Sequence, residues 1–253
     1  MGACCQALSQ PPLRMRLSSF LATTLLFVVF SGCSEPPCTD SLPCEPVAPE
    51  AAPAETVALF DGSHLDAWRG FKRNDVSAGW TVTEDSLLTF TPGVEGGDII
   101  SRDTFSSFDL TLEWRISEGG NSGIFFHVSE ETNATYEAAP EMQVLDDERH
   151  PDGQSPLTSA GANYALHAAP DGAVKGPGQW NAVRITVRGD SVRYELNGIE
   201  TAQYVLGSDD WQARVANSKF ADWPWYGKGR SGHIALQDHG DPVAYRNIRI
   251  TRL

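Results

Sequence analysis

Apolar and polar residues alternate along much of the chain after position 80. In the segment 109–116 (DLTLEWRI), the residues Leu110, Leu112, Trp114 and Ile116 share one face, and polar side chains occupy the other. A period of two is typical of a β-strand with one buried face. Similar patterns predict strands at 80–82, 86–91, 99–101, 123–128, 141–145, 180–188, 191–196, 232–237 and 244–250. Short strands separated by turns predict an all-β fold, an antiparallel sandwich.

Helical periodicity is confined to one segment, 209–219 (DDWQARVANSK), where Trp211 and Val215 share a face. Ser208 or Asp209 is suited to cap its N-terminus. The pair Asn197-Gly198 follows the strand predicted at 191–196, and this dipeptide is a strong signal for a two-residue hairpin. We therefore expect one short helix and a hairpin within the sandwich.

The first 56 residues of the sequence differ from the rest. Residues 1–33 contain two arginines, an apolar run at 17–30 and the sequence Ser31-Gly32-Cys33, which is typical of a secretory signal. Its end resembles a bacterial lipobox, in which Cys33 would carry the lipid anchor; a plain secretory signal is the alternative. Residues 34–56 are rich in Pro, Glu and Ala, which predicts a disordered linker. The folded domain is expected over 57–253, held at the cell envelope through the lipid alone.

Charge and cysteine content exclude several functions. Nineteen Lys and Arg residues against 33 Asp and Glu residues give a net charge of −14, which argues against nucleic-acid binding. All five cysteines lie within the first 44 residues, so the domain has neither a disulfide framework nor a thiolate metal site. The six histidines lack a tight ligand spacing, and nucleophile-elbow and P-loop motifs are absent from the sequence. We expect no metal and no cofactor.

The segment 140–150 (PEMQVLDDERH) is the first candidate for chemistry. Alternation places Glu141 and Gln143 on one face of a strand, with Asp146 at its end and His150 on the loop beyond. Carboxylates beside a histidine are suited to general acid–base catalysis; a solvated loop of charges is the alternative. The segment E-x-Q-x-x-D has Gln at its centre. It therefore differs from the segment of glycosidases that use two closely placed carboxyls for double displacement.

Two further segments carry candidate binding residues. At 232–241, Gln237 and His239 share a face, and Asp238 lies at the strand end, where it either contacts a ligand or caps a turn. Glu113 stands on the polar face of its strand, beside Arg115, and is followed by the loop that contains Asn121. Glu113 either belongs to a site or forms a structural pair with Arg115. Trp223 or Trp225 either stacks on a ligand or packs in the core.

Seven motifs occur in a fixed order over about 57–253. They are LFDG at 59–62, LEWRI at 112–116, GNSGI at 120–124, PEMQVLD at 140–146, GQWN at 178–181, SKF at 218–220 and GHIALQDHG at 232–240. This series resembles the 3-keto-disaccharide hydrolase family, also called DUF1080.

The resemblance implies a concanavalin/LamG-like jelly roll that hydrolyses glycosides already oxidised at C3 by a separate sugar oxidoreductase. The reaction implied is β-elimination across C1 and C2 followed by hydration. At the motif positions, we assign His150 or Asp146 as the base that removes the C2 proton. We assign Glu141 as the acid that protonates the leaving oxygen. The residues assigned to substrate binding are Glu113, Asn121, Gln143, Trp223, Gln237, Asp238 and His239. A non-catalytic carbohydrate-binding lipoprotein is the alternative function.

Overall fold

A computed structural model describes residues 55–253. The expected signal segment 1–33, its Cys33, and nearly all of the expected linker lie outside the described residues. Within the described part, no helix has the length and apolar character needed to span a membrane.

Thirteen strands and one α-helix form the domain. In chain order they are β1 (Thr56–Phe60), β2 (Trp68–Gly70), β3 (Trp80–Val82), β4 (Leu88–Phe90), β5 (Ile99–Ser101), β6 (Phe108–Ile116), β7 (Asn121–Val128), β8 (Glu141–Leu145), β9 (Asn181–Arg188), β10 (Ser191–Leu196), β11 (Ile199–Val205), α1 (Asp209–Ala216), β12 (His233–Leu236) and β13 (Val243–Arg252). Short 3-10 helices at Thr135–Glu137 and Pro151–Gln154 lie in the loops around β8.

The strands form two antiparallel sheets that face each other. The larger sheet has the order β11-β10-β9-β6-β13-β4-β3, with β1 paired to β13, and the smaller has the order β2-β5-β12-β7-β8. Their facing sides share one apolar core, to which β6 contributes Leu112 and Trp114 and β7 contributes Ile124 and Phe126. These sheets form the antiparallel sandwich that the strand pattern predicts, of the jelly-roll type that the family resemblance implies.

The sequence predicted most elements within one or two residues. The predicted hairpin is present, with φ of 53° at Asn197 and 82° at Gly198, which matches a turn that needs two left-handed residues. The predicted helix is also present, and the Ser208 hydroxyl accepts a hydrogen bond from the backbone N–H of Trp211 at 3.2 Å. Three strands were not predicted: β1, β2 and β11. The sequence of β1 (TVALF) does not alternate, β2 (WRG) has only three residues and ends in glycine, and the many polar residues of β11 hide its alternation.

The smaller sheet is buried on both of its faces at the centre. Every residue of β7 and β8 is buried, although each strand carries polar side chains. On the outer face, a second apolar cluster of Ile100, Phe125 and Ala235 lies under the loop that joins β7 to β8. The outer face of this sheet therefore forms the floor of a covered cleft rather than an open surface.

Candidate functional site

The register of β7 and β8 brings polar side chains together on that outer face. Gly123 pairs with Gln143 and Phe125 pairs with Glu141, so these four residues share one side of the sheet. Met142 and Val144 point to the opposite side and belong to the main core. The alternation predicted for this segment is confirmed.

These side chains line a cavity of about 190 Å³. One wall consists of amide, acid and imidazole groups from β7, β8 and the segment after β12, and the other consists mainly of aromatic rings from the loops. The lining residues are Asn121, Tyr136, Ala139, Glu141, Gln143, Tyr164, Lys219, Phe220, Trp223, Tyr226, Gln237 and His239. A concave pocket with converging polar groups beside aromatic rings is the usual form of a small-molecule site.

Glu141 is the buried acid of this cavity. Only 9% of the residue is exposed, and burial raises the pKa of its carboxyl from 4.5 to about 8. The positive charge of Lys219 opposes this shift, and the negative charges of Asp98 and Asp152 add to it. At neutral pH the carboxyl therefore holds its proton, as a general acid must.

Lys219 provides the cation of the cavity. Its Nζ lies 4.1 Å from the centre of the Tyr164 ring, a distance suited to a cation–π contact. Tyr164 is itself held by a hydrogen bond of 3.1 Å from its hydroxyl to Oδ2 of Asp152. Desolvation lowers the pKa of Lys219, while the charges of Glu141 and Asp152 oppose that shift. An ammonium group that lines the same cavity as a buried carboxyl can stabilise negative charge that develops on a bound molecule.

Four further polar groups at the cavity are buried without a hydrogen-bond partner among residues 55–253. They are the side-chain oxygens of Asn121, Gln143 and Gln237 and the hydroxyl of Tyr226. A buried unsatisfied group costs about 1–3 kcal/mol, so such groups in one pocket indicate a ligand that supplies the missing bonds. Burial raises the pKa of Tyr226 well above its ordinary value, so its hydroxyl remains a donor. A ligand with several hydroxyl groups fits this lining.

One histidine lines the cavity, and a second lies beside the first. His239 is part of the lining, and its ring centre is 6.4 Å from that of His150 in an edge-on arrangement. Nδ1 of His150 accepts a hydrogen bond from the backbone N–H of Asp152 at 3.2 Å. Within the described residues, no group of three or more His, Cys, Asp or Glu side chains is placed to hold a metal ion.

The structure brings together most, but not all, of the residues that the sequence singled out. Those in the cavity are Glu141, Asn121, Gln143, Trp223, Gln237 and His239. His150 is beside it through His239. Trp225, the alternative to Trp223, is 64% exposed and is not part of the lining.

Three predicted acids lie outside the cavity, and their partners explain why. The buried carboxylate of Asp146 accepts hydrogen bonds from the backbone N–H groups of Gly119 at 2.7 Å and Glu148 at 3.2 Å, so it holds two loops together. Asp238 accepts from the N–H groups of Gly97 at 2.7 Å and Gly240 at 2.9 Å. It therefore stabilises a turn, as the alternative interpretation of this residue held.

Glu113 is the third of these acids, and it belongs to the other sheet. On β6 it receives hydrogen bonds from Arg246 at 2.8 Å and Asn247 at 2.7 Å. The expected neighbour Arg115 instead lies over the ring of Trp180, 4.9 Å from its centre. Glu113 therefore joins β6 to β13, and the cavity described above does not include it.

Sequence reasoning missed Lys219, Tyr164, Tyr226 and Tyr136 as site residues. All four come from loops or turns, where no periodicity predicts which way a side chain points. The only available signal was the SKF motif at 218–220, which carries no chemistry by itself.

Comparisons with known proteins agree with this architecture. A 3-keto-disaccharide hydrolase from Bacteroides thetaiotaomicron is 34% identical, over 77% of each chain. A putative glycosyl hydrolase from Parabacteroides distasonis superposes with a TM-score of 0.72 at 30% identity, covering 78% of this chain and 94% of that one. A Bacillus subtilis protein with a galectin-like fold shares only the fold, with a TM-score of 0.50 at 13% identity over 73% of this chain and 88% of its own.

The family assignment rests on a match over nearly the whole described domain. Residues 55–251 fit the family model of the 3-keto-alpha-glucoside-1,2-lyase-like domain. The motifs noted in the sequence fall within this range and supply much of the cavity, including Glu141, Lys219 and Gln237. The chain therefore belongs to the family of 3-keto-alpha-glucoside-1,2-lyase-like domains.

Proposed function

We propose that this protein is an enzyme that cleaves 3-keto-glycosides by β-elimination across C1 and C2 and then hydrates the product. The observation that carries this proposal is a buried Glu141 that lines, together with Lys219, a cavity of unpartnered polar groups. Burial raises the pKa of the Glu141 carboxyl to about 8, so the carboxyl is suited to donate a proton at neutral pH. The name of the Bacteroides relative supports a 3-keto-disaccharide as the substrate class. A separate oxidoreductase must supply such a substrate, because the C3 hydroxyl has to be oxidised before cleavage.

The proposed chemistry balances without an external oxidant. The C3 ketone acidifies the hydrogen on C2, and a base removes it to give an enolate. The C1=C2 double bond then forms as the C1–O bond to the leaving group breaks, and the leaving oxygen takes a proton. Water adds back across C1 and C2, with its oxygen on C1 and a proton on C2, to give the free 3-keto sugar.

The residues of the cavity suit these steps. Glu141 donates the proton to the leaving oxygen, because its carboxyl is protonated at neutral pH. His239, with His150 beside it, is suited to remove the C2 proton; Asp146 is not, because its carboxylate is bonded to backbone outside the cavity. Lys219 and the Tyr226 hydroxyl, which line the same cavity, are suited to stabilise the enolate oxygen. Each positioned acid or base is typically worth ~10²–10⁴-fold in rate.

Turnover in D₂O tests the elimination route. Elimination followed by hydration should place deuterium on C2 of the released 3-keto sugar, whereas direct displacement at C1 leaves the original hydrogen there. A reaction without enzyme corrects for spontaneous exchange beside the ketone. Product that retains its full C2 hydrogen would exclude elimination.

A pair of histidine variants tests the identity of the base. His239→Ala should slow C2 exchange by at least ~10²-fold if His239 is the base. His150→Ala serves as the matched comparison at the neighbouring ring, and a larger effect there assigns the base to His150 instead. Exchange that survives both substitutions would contradict the assignment to either histidine.

A non-catalytic carbohydrate-binding role is the second candidate. The aromatic wall favours it, since Tyr136 and Trp223 have ring centres 5.7 Å apart beside buried amides, as in sugar-binding sites. Incubation with a 3-keto-glucoside and with its unoxidised parent separates the two functions. Binding of either compound without conversion of the 3-keto-glucoside would favour the binding role.

We also propose that Cys33 is lipidated and anchors the protein at the cell envelope. The support is the apolar run at 17–30 followed by Ser31-Gly32-Cys33. Cys33→Ser should release the protein from the membrane fraction, because each buried CH₂ of the acyl chains contributes about 0.8 kcal/mol. Unchanged membrane association in a fractionation blot would contradict the anchor.

A further inference from the structure

A second cavity lies beside the first on the smaller sheet. It has a volume of about 250 Å³ and lies at the end of β2 and at the residues that precede β5. Its lining includes Phe71, Ser77, Asp98, Asn133, Ala134 and Thr135. No step of the proposed reaction uses this cavity.

Strand register places the two cavities next to each other. Leu236 pairs with Ile99, so Asp98, which precedes β5, lies across from Gln237, which follows β12. Gln237 lines the first cavity and Asp98 lines the second. The loop that joins β7 to β8 also lines both cavities, because Thr135 lines the second cavity and the next residue, Tyr136, lines the first.

A hydrogen bond marks the boundary between the two cavities. The Thr135 hydroxyl donates to Oδ2 of Asp98, and the other carboxyl oxygen accepts from the backbone N–H of Asp238 at 2.9 Å. Asp98 is also close enough for its charge to affect the pKa of Glu141. The two cavities therefore adjoin at the Asp98 side chain, and a ligand that occupies both has to cross over this side chain.

The lining of the second cavity suits a sugar ring. Ser77 is only 3% exposed, and its hydroxyl has no hydrogen-bond partner among residues 55–253. A bound ligand can supply the missing hydrogen bond. Asn133 offers an exposed amide, and the half-buried Phe71 offers an apolar surface. Hydroxyl groups and an apolar ring face on one molecule would satisfy all three side chains.

Size gives a further reason for a second subsite. The first cavity, at about 190 Å³, is smaller than the roughly 300–1,000 Å³ of pockets that enclose a drug-sized ligand. It is therefore suited to a single sugar ring, and the other half of a disaccharide has to bind elsewhere.

We propose that the second cavity is the leaving-group subsite and binds the second sugar ring of a 3-keto-disaccharide. The inference rests on the proposed function, since it assumes that the oxidised ring occupies the first cavity beside Glu141. The leaving sugar then lies against Phe71 and Ser77, and its glycosidic oxygen lies between the two cavities.

Ala134→Trp tests this subsite by filling it. Ala134 is half-buried in extended backbone, with φ of −139° and ψ of 156°, so a large side chain is compatible with its conformation. Glu131→Trp is the matched control, because Glu131 is exposed on the same loop and lines neither cavity. Ser77→Ala provides a milder variant that removes only the unpartnered hydroxyl.

The three variants are compared on a 3-keto-disaccharide and on the methyl 3-keto-glucoside, whose leaving group is too small to reach the second cavity. Ala134→Trp should lower kcat/KM for the disaccharide by about 10-fold or more and change the methyl glycoside less than about 2-fold. Ser77→Ala should raise KM for the disaccharide only, and Glu131→Trp should match the wild type on both. Equal losses on both substrates, or no loss on either, would overturn the subsite.

Binding measurements test the subsite even if no variant cleaves either substrate. In calorimetry, the unoxidised disaccharide should bind the wild type more tightly than the methyl glucoside, and Ala134→Trp should abolish that difference. If the wild type cleaves neither 3-keto substrate, the proposed function fails while this comparison still decides the subsite. A disaccharide preference lost in Trp223→Ala but kept in Ala134→Trp would place the second ring on the aromatic wall instead and overturn the proposal.

Discussion

A methyl group on Gly123 would lie 2.2 Å from Oε1 of Glu141, so the carboxyl of Glu141 lies directly over this glycine of the neighbouring strand. Gly123 does not have a positive φ, so space rather than backbone conformation requires glycine here. Because Gly123 has no side chain, the carboxyl of Glu141 can lie directly against β7. The GNSGI motif thus contributes to the site by leaving room for a side chain of another motif.

Gly123→Ala should therefore displace Glu141 and lower kcat by about 10-fold or more. The stability of the fold should change little, because the atom in conflict is the end of a flexible side chain. Gly176→Ala is the matched control: its added carbon would lie 3.8 Å from the nearest atom, Nε2 of Gln179, which is ordinary contact. Steady-state kinetics and thermal unfolding measure both effects, and an unchanged kcat would contradict the placement of Glu141.

Glu141→Gln should stabilise the protein while it removes activity. The unfolded carboxyl ionises near its ordinary pKa of 4.5, whereas the folded one keeps its proton up to about pH 8. The unfolded state therefore binds fewer protons over this range, and the free energy of unfolding of the wild type falls as the pH rises from about 4.5 to 8. The neutral amide of the variant does not incur this loss.

The measurement is thermal unfolding of both proteins between pH 4 and pH 9. The variant's advantage in Tm should be small at pH 4, grow to roughly 10 °C or more by pH 8 and then level off. A difference in Tm that does not depend on pH would show that the carboxyl is not protonated in the folded state. The variant should also lose least activity on substrates whose leaving group needs no proton.

Lys219→Met should weaken catalysis and shift its dependence on pH. The variant keeps an apolar side chain against Tyr164 and removes the charge that opposes the raised pKa of Glu141. We expect a ~10²-fold loss of kcat from the missing stabilisation of the enolate. The alkaline limb of the pH profile should also move to higher pH, because Glu141 then holds its proton more strongly. A lower kcat without a shifted limb would contradict the electrostatic coupling.

The sequence predicted the part of the site that lies on strands. A period of two suffices to show that Glu141 and Gln143 face away from Met142, because strand geometry fixes side-chain direction. The same reasoning could not show that Asp146 and Glu113 already have hydrogen-bond partners, since an acid near a strand gives no sign of whether a backbone N–H or an arginine of another strand binds it. Lys219 and Tyr226 come from segments after α1, whose path depends on tertiary packing rather than on local pattern.

Tyr226→Phe should separate the chemistry of the cavity from its packing. The Tyr226 ring stacks on Phe220 with centres 3.9 Å apart and lies parallel to Trp211 at 6.0 Å, and phenylalanine keeps both contacts. The variant loses only a buried hydroxyl that has no partner among residues 55–253, so the Tm should stay the same or rise. If that hydroxyl stabilises the enolate, kcat and C2 exchange in D₂O should both fall by ~10²-fold or more.

Tyr194→Phe is the matched control for this variant. Tyr194 is equally buried, but its hydroxyl is hydrogen-bonded to that of Tyr204 at 2.8 Å and lies outside the cavity lining. Its loss leaves the Tyr204 hydroxyl without this partner, so Tyr194→Phe should lower the Tm and leave kcat nearly unchanged. The two tyrosines should thus show opposite patterns in stability and activity. Full activity in Tyr226→Phe would contradict a role for its hydroxyl and leave Lys219 as the remaining donor to the enolate.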